Sequence, residues 1–138
     1  MSLYKENELG KISISNTVFA SIIRDGFQLM ECKGRVWPAS KKGRQIGNET
    51  KFNLSDFGNV IETSLDEDGR LAIEFSIIVK FGTSIKKITD ALADYLAENV
   101  ESFQGSKPAQ ITIRISGVKS KQIARRNTEV IKRYDINR

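Results

Sequence analysis

Residues 70–82, RLAIEFSIIVKFG, run directly into residues 83–105, TSIKKITDALADYLAENVESFQG, and these two stretches decide the fold. In the first, Leu71, Ile73, Phe75, Ile77, Val79 and Phe81 fall on one parity. Glu74, Ser76 and Lys80 share the other with Ala72 and Ile78. A period of two predicts a strand with one buried face. In the second stretch, Ile85, Ile88, Leu92, Leu96, Val100 and Phe103 recur every three or four residues. Ala91 and Tyr95 widen that stripe into a core-facing helix. Thr83 or Ser84 can cap its start, and Gly105 with Pro108 can end it. Such a helix spans roughly 30 Å, about the width of a small domain. A sheet laid on the helix buries both apolar surfaces.

Upstream, GKISIS (10–15) alternates through Ile12 and Ile14 and predicts a short strand, preceded by a frayed polar start over residues 1–9. Asn16 is placed to cap a helix running to Gly34, with Val18, Phe19, Ile22, Ile23, Phe27 and Met30 as its stripe. Arg35 to Ala39, carrying Trp37, reads as a short strand, and Ser40 to Phe57 as a long loop with a piece of strand near Phe52–Leu54. Asn59 to Leu65 reads as a strand, and Asp66-Glu67-Asp68-Gly69 as the hairpin turn into residue 70. Downstream, Ile111, Ile113 and Ile115 alternate with Thr112, Arg114 and Ser116 in a further strand. In the last segment Ile123, Val130, Ile131 and Tyr134 stand at helical spacing and predict a docked amphipathic C-terminal helix. The expected architecture is α+β and two-layered: a mixed or mostly antiparallel sheet of about four strands, two helices on one face, and the C-terminal helix. Residues 10–118 form the domain and 119–138 a basic helical tail. Ile77, Val79, Leu92, Leu96 and Ile113 are expected to be buried together.

Composition narrows the function. The 138 residues include no histidine and one cysteine, Cys32. The commonest general base is therefore missing, as are Cys/His nucleophile pairs and the usual zinc ligand sets. An intramolecular disulfide is impossible, which fits a reducing compartment. There is no phosphate-binding glycine loop and no apolar run of transmembrane length. The expectation is a soluble intracellular protein with no cofactor and no metal. Ser84-Ile85-Lys86-Lys87 matches the S-x-x-K nucleophile pattern without its companion SDN and KTG motifs. The plainer reading makes Ser84 a helix cap. Asp66-Glu67-Asp68 lacks the full calcium-loop pattern and reads as a solvated turn.

The net charge of +5 is uneven. Residues 1–118 hold 15 basic and 15 acidic side chains, and residues 119–138 hold seven and two. Lys119, Lys121, Arg125, Arg126, Lys132 and Arg133 are thus the candidate contacts for a partner or for nucleic-acid phosphates. No aromatic interleaves with them as in single-strand binders, and no G-x-x-G occurs. A nucleic-acid-binding module using this tail is the alternative to a protein-interaction reading.

The ordered motifs carry a resemblance. GKISISNTVFASII, Gly34-Arg35-Val36, Gly58-Asn59-Val60 before the acidic hairpin, IIVKFGTSI, the long helix, and ITIRISGV with Gly117-Val118 occur in one order over residues 10–118. That set is similar to the alkaline shock protein family, general-stress and cell-envelope proteins of Gram-positive bacteria. The first helix is bulkier here, through Phe19, Ile22, Ile23 and Phe27. The resemblance implies a non-enzymatic interaction protein with no catalytic residues to transfer. It implies self-association, a cytoplasmic location, and a peripheral hold on the membrane through a membrane-anchored protein partner, with no insertion of its own.

Overall fold

The structure, a computed structural model, describes residues 4–7, 10–13, 16–48 and 50–134, with the backbone alone described for 4–7 and 10–13. β1 (Tyr4–Asn7) and β2 (Gly10–Ser13) form an antiparallel hairpin. The start expected to fray therefore contains a strand. The expected continuation of β2 through Ile14 and Ser15 lies outside the described residues.

α1 (Asn16–Gly26) stops eight residues earlier than its stripe suggested. Residues 27–35 are turns, tied by Phe27 N–H to Ile23 O and Cys32 N–H to Leu29 O. Gly26, its last residue, is the weakest ordinary helix former, and a Cβ on it would lie 3.0 Å from Leu92 Cδ2 and 3.2 Å from Tyr95 Cδ2. It is the point where α1 touches the long helix. Asn16 is the first residue of α1. Its Nδ2 donates to Ile61 O at 2.8 Å and Gly58 O at 3.2 Å, fastening α1 to the segment after α2.

β3 (Val36–Ala39) is followed by a loop and then by α2 (Leu54–Gly58), a single helical turn where a strand piece was expected. Asn53 Oδ1 accepts the Asp56 N–H at 2.9 Å, which favours helix there. β4 (Glu62–Leu65) begins three residues later than expected, because Asn59 N–H still closes the α2 turn onto Ser55 O. β5 (Leu71–Lys80) and α3 (Ile85–Gln104) match the opening prediction. Ser84 caps α3, its Oγ accepting the Lys87 N–H, and Gly105 ends it at φ 89°. β6 (Gln110–Lys119) then returns parallel to β5.

The chain ends on β7 (Ile123–Arg133), a strand and not the expected helix. β7 pairs antiparallel with β6, from Lys119↔Ile123 to Gln110↔Arg133. Its helical spacing was coincidental: β-branched Ile123, Thr128, Val130 and Ile131 equally suit a strand, and pairing with β6 satisfies the backbone. Residues 135–138 of the expected helix lie outside the described residues. The sheet is thus five-stranded and mixed, in the order β3-β5-β6-β7, with β4 also paired to β5.

α1 and α3 lie on one face of this sheet. Ile77, Val79, Leu92, Leu96 and Ile113 share one core, as expected, with Phe19, Ile23, Phe57 and Phe75. Three positions depart from the parity rule, one of them Ser76, which is on the polar parity yet 1% exposed. Phe81 is 71% exposed, because β5 ends at Lys80 and the chain turns away. Ile78 is fully buried on the opposite face, where residues 40–47 fold over the sheet.

Candidate interaction surfaces

Among the described residues no three His, Cys, Asp or Glu side chains stand together as a metal site. Ser84 is engaged as the α3 cap. Cys32 is fully buried, and that burial first, then the charge of Glu31, pushes its thiol up to about 12. Both groups are held in structural roles.

The second face of the sheet carries a charge network that sequence reading missed. Lys41, in the loop after β3, reaches Glu62 on β4 at 2.9 Å and Glu74 on β5 at 3.7 Å. The hydrogen bond to Glu62 raises the Lys41 pKa. Arg114 on β6 bridges Glu74 at 3.1 Å and Glu129 on β7 at 2.7 Å, and it donates to Asn127 Oδ1 at 3.0 Å. These groups come from four strands and a loop, so nothing local in the sequence links them. The one legible signal was Glu74 and Arg114, each on the polar parity of an alternating strand.

Toward the other end of that face, residues 40–47 close over β6. Ser116 Oγ donates to Ser40 O at 2.7 Å. A Cβ on Gly43 would sit 2.8 Å from Ser116 O, so only glycine lets the loop approach this closely. Lys119 Nζ stands 4.5 Å from the centre of the Trp37 ring and donates to Gln45 Oε1 at 2.8 Å. Trp37 is half-buried beneath that ammonium.

The six basic candidates are therefore not one patch. Lys119 is held by Trp37 and Gln45. Lys132 is held on the helix side by Asp90 at 3.2 Å and Asp94 at 3.5 Å of α3. Burial alone would lower the Lys132 pKa, but the Asp90 hydrogen bond and the two carboxylate charges raise it on balance. The hydrogen bonds from Lys86 and Lys132 in turn lower the Asp90 pKa. Lys121 lies exposed in the turn before β7, and Arg125, Arg126 and Arg133 lie exposed on the strand. Arg125 and Arg133 are about 27 Å apart along it. The end of the strand is pinned as well: Tyr134 OH donates to Asp94 Oδ1 at 3.0 Å, and Arg70 Nη2 donates to Tyr134 O at 2.7 Å.

What β7 does present is a backbone edge. It has 11 residues, it is last in the strand order, and no described strand pairs with its outer side. Tyr134 N–H donates to Ala109 O, so from Thr128 onward the even-numbered residues turn their backbone groups toward β6 and the odd-numbered ones turn theirs outward. A register shift opposite Ser116 leaves Arg126 and Asn127 without register partners on β6, and beyond it Gln122, again even, faces β6 by accepting the Ser120 N–H. The odd-numbered side chains, Ile123, Arg125, Asn127, Glu129 and Ile131, lie on the charged sheet face; the Arg114–Asn127 and Arg114–Glu129 contacts fix that assignment.

Comparison with known proteins locates this arrangement. The profile of the alkaline shock protein 23 family, described by a cell envelope-related function, matches residues 4–120. A Bacillus subtilis (strain 168) protein, YloU, itself described as uncharacterized, is 26% identical over 119 residues, covering 86% of this chain and 97% of its own length. No solved structure matches the chain.

Proposed function

This chain belongs to the alkaline shock protein 23 family, and from that premise we propose that it is a non-enzymatic assembly module on the cytoplasmic side of the cell envelope, joining copies of itself edge to edge through β7. The observation that carries the reading is the register available to two antiparallel β7 strands. An edge of this length is a template for a further strand. Outward-facing backbone groups are on odd residues on both sides of the register shift at Arg126–Asn127, so a two-fold pair must match odd with odd across that irregularity. Centred on Asn127, the pairing sets Arg125 against Glu129 twice and Ile123 against Ile131 twice, with Asn127 facing its own copy. On the helix side Ala124 meets Val130 and Arg126 meets Thr128. Neighbouring registers, centred on Arg126 or Thr128, break the Arg–Glu and Ile–Ile matches. The interface is isologous and makes one continuous sheet across both copies.

Sedimentation at several protein concentrations tests this. Arg125→Glu turns both cross-strand attractions into repulsions. Each such pair swings by about 0.5–2 kcal/mol, so the dimer dissociation constant rises at least about fivefold. Arg125→Lys keeps the charge and restores the dimer. Arg126→Glu makes the same change in net charge on the helix side, away from Glu129, and serves as the control. Equal effects of Arg125→Glu and Arg126→Glu would reduce the interaction to bulk charge, and a monomeric wild-type protein would end the reading.

A further inference from the structure

The two large apolar side chains most exposed among the described residues, Met30 at 86% and Phe81 at 71%, occupy the same end of the molecule. β5 and β6 both finish there, Lys80 beside Lys119, and β3 starts there, Val36 opposite Val79. Lys80 N–H donates to Arg35 O and Phe81 N–H donates to Lys119 O, which binds the three segments 27–35, 80–87 and 119–122 into one surface. Arg35 Nη1 fixes the Met30 carbonyl at 3.0 Å. Met30, Arg35, Gly82 and Lys87 line a shared cleft of about 380 Å³.

The same three segments carry seven basic residues and one acidic residue, Glu31. The remainder of the chain holds 15 basic and 16 acidic residues. The positive excess of the whole protein is therefore accounted for at this end. Lys119 and Lys86 are committed to internal partners. Lys33, Lys80, Lys87 and Lys121 are exposed around the two apolar tips.

We infer that this end is a docking surface for an anionic lipid bilayer. A basic ring attracts acidic headgroups, each cation near such a surface weighing about as much as a fivefold change in affinity. An aromatic and a methionine tip, projecting from turns, can enter the headgroup boundary, where apolar contact adds to that attraction. The apolar groups are two separated tips on loops and not a continuous stripe. That pattern suits a fluid interface more than a helix or strand from a protein partner. No membrane span is needed, and no described helix is long and apolar enough to provide one.

Co-sedimentation of the full chain with vesicles tests the inference. The probes are vesicles of equal parts phosphatidylglycerol and phosphatidylcholine, and vesicles of phosphatidylcholine alone. Binding is expected to the first and not to the second, and to weaken with added salt. Lys33→Gln with Lys121→Gln should weaken it roughly 25-fold, two charges at about fivefold each. Phe81→Ser with Met30→Ser should weaken it at least about tenfold at unchanged net charge. All four side chains are exposed, and an unchanged circular dichroism spectrum and oligomer size confirm that the variants fold and assemble as wild type does. Absence of binding, equal binding to both vesicles, or full binding by the Phe81/Met30 variant would each overturn the inference. The last result would reduce the surface to nonspecific charge.

Discussion

Truncating Leu96 to alanine measures how α3 is seated on the sheet. Leu96 is 1% exposed, at the centre of the α3 stripe between Leu92 and Val100, and shares the core with Ile77, Val79 and Ile113. The substitution removes three carbons from a site that excludes water. At about 0.8 kcal/mol per buried methylene, the lost transfer free energy is roughly 2.4 kcal/mol. If the neighbours did not move, a void on the order of 80 Å³ would add about 2 kcal/mol at ~24 cal/mol per Å³. The expected loss is therefore about 2.5–4.5 kcal/mol, its position in that range set by how far the flanking strands relax. Urea unfolding at fixed protein concentration reads it as a lower midpoint with an unchanged slope. Fixed concentration matters because assembly adds to apparent stability. Glu98→Ala, on the exposed face of the same helix, is the comparator and should stay within about 0.5 kcal/mol. A Leu96→Ala loss no larger than that would mean that α3 presents a different face to the sheet.

Alkaline pH should destabilise the fold through Cys32. The folded thiol titrates near 12 against an ordinary value of 9.0, so the unfolded chain loses its proton first. Stability is complete below about pH 9 and falls above it by up to about 1.4 kcal/mol per unit; Cys32→Ala should flatten the urea midpoints between about pH 9 and 10, and an equal slope in both proteins would refute the assignment. Gly47 sits at φ 68° with the site of a Cβ only 2.6 Å from Phe52 Cβ. Gly47→Ala should cost about 1–3 kcal/mol in the same assay, and a neutral result would mean the loop is not held as described. Ser84 should stay unlabelled by β-lactam and fluorophosphonate probes, since its hydroxyl caps α3; a covalent adduct in a mass spectrum would reopen the search for an enzyme.

The parts of this fold that could be read from sequence are those in which one residue's neighbours in the chain determine its environment. β5 alternates because one of its faces rests on the helices, and α3 has a stripe for the same reason. The seating of α1 on α3 was unreadable because it rests on Gly26 meeting Leu92 and Tyr95, some 70 positions away. The terminal segment was misread because Ile123, Val130, Ile131 and Tyr134 satisfy a helical spacing and a strand equally well. What decided between them was a partner strand, β6, waiting with an unpaired edge. The candidate surfaces divide along the same line. The basic residues of the tail were visible, but the neutralisation of Lys132 by α3 and of Lys119 by Trp37 and Gln45 was not. Nor could the sequence show that turns at residues 30, 81 and 121 meet at one end, since each lies in a different connection.

The most direct test of assembly through β7 is a cysteine placed on the proposed two-fold axis. In a Cys32→Ala background, Asn127→Cys sets two thiols opposite each other with Cα atoms about 5.5 Å apart, inside the range a disulfide spans. Glu129→Cys leaves its two copies about 13 Å apart along the paired strands, out of reach. Mild oxidation should give a covalent dimer for Asn127→Cys, with sedimentation unchanged from the wild-type assembly, and none for Glu129→Cys. A protein that stays uncrosslinked at 127, or crosslinks equally well at 129, would contradict the register and with it the edge-to-edge account.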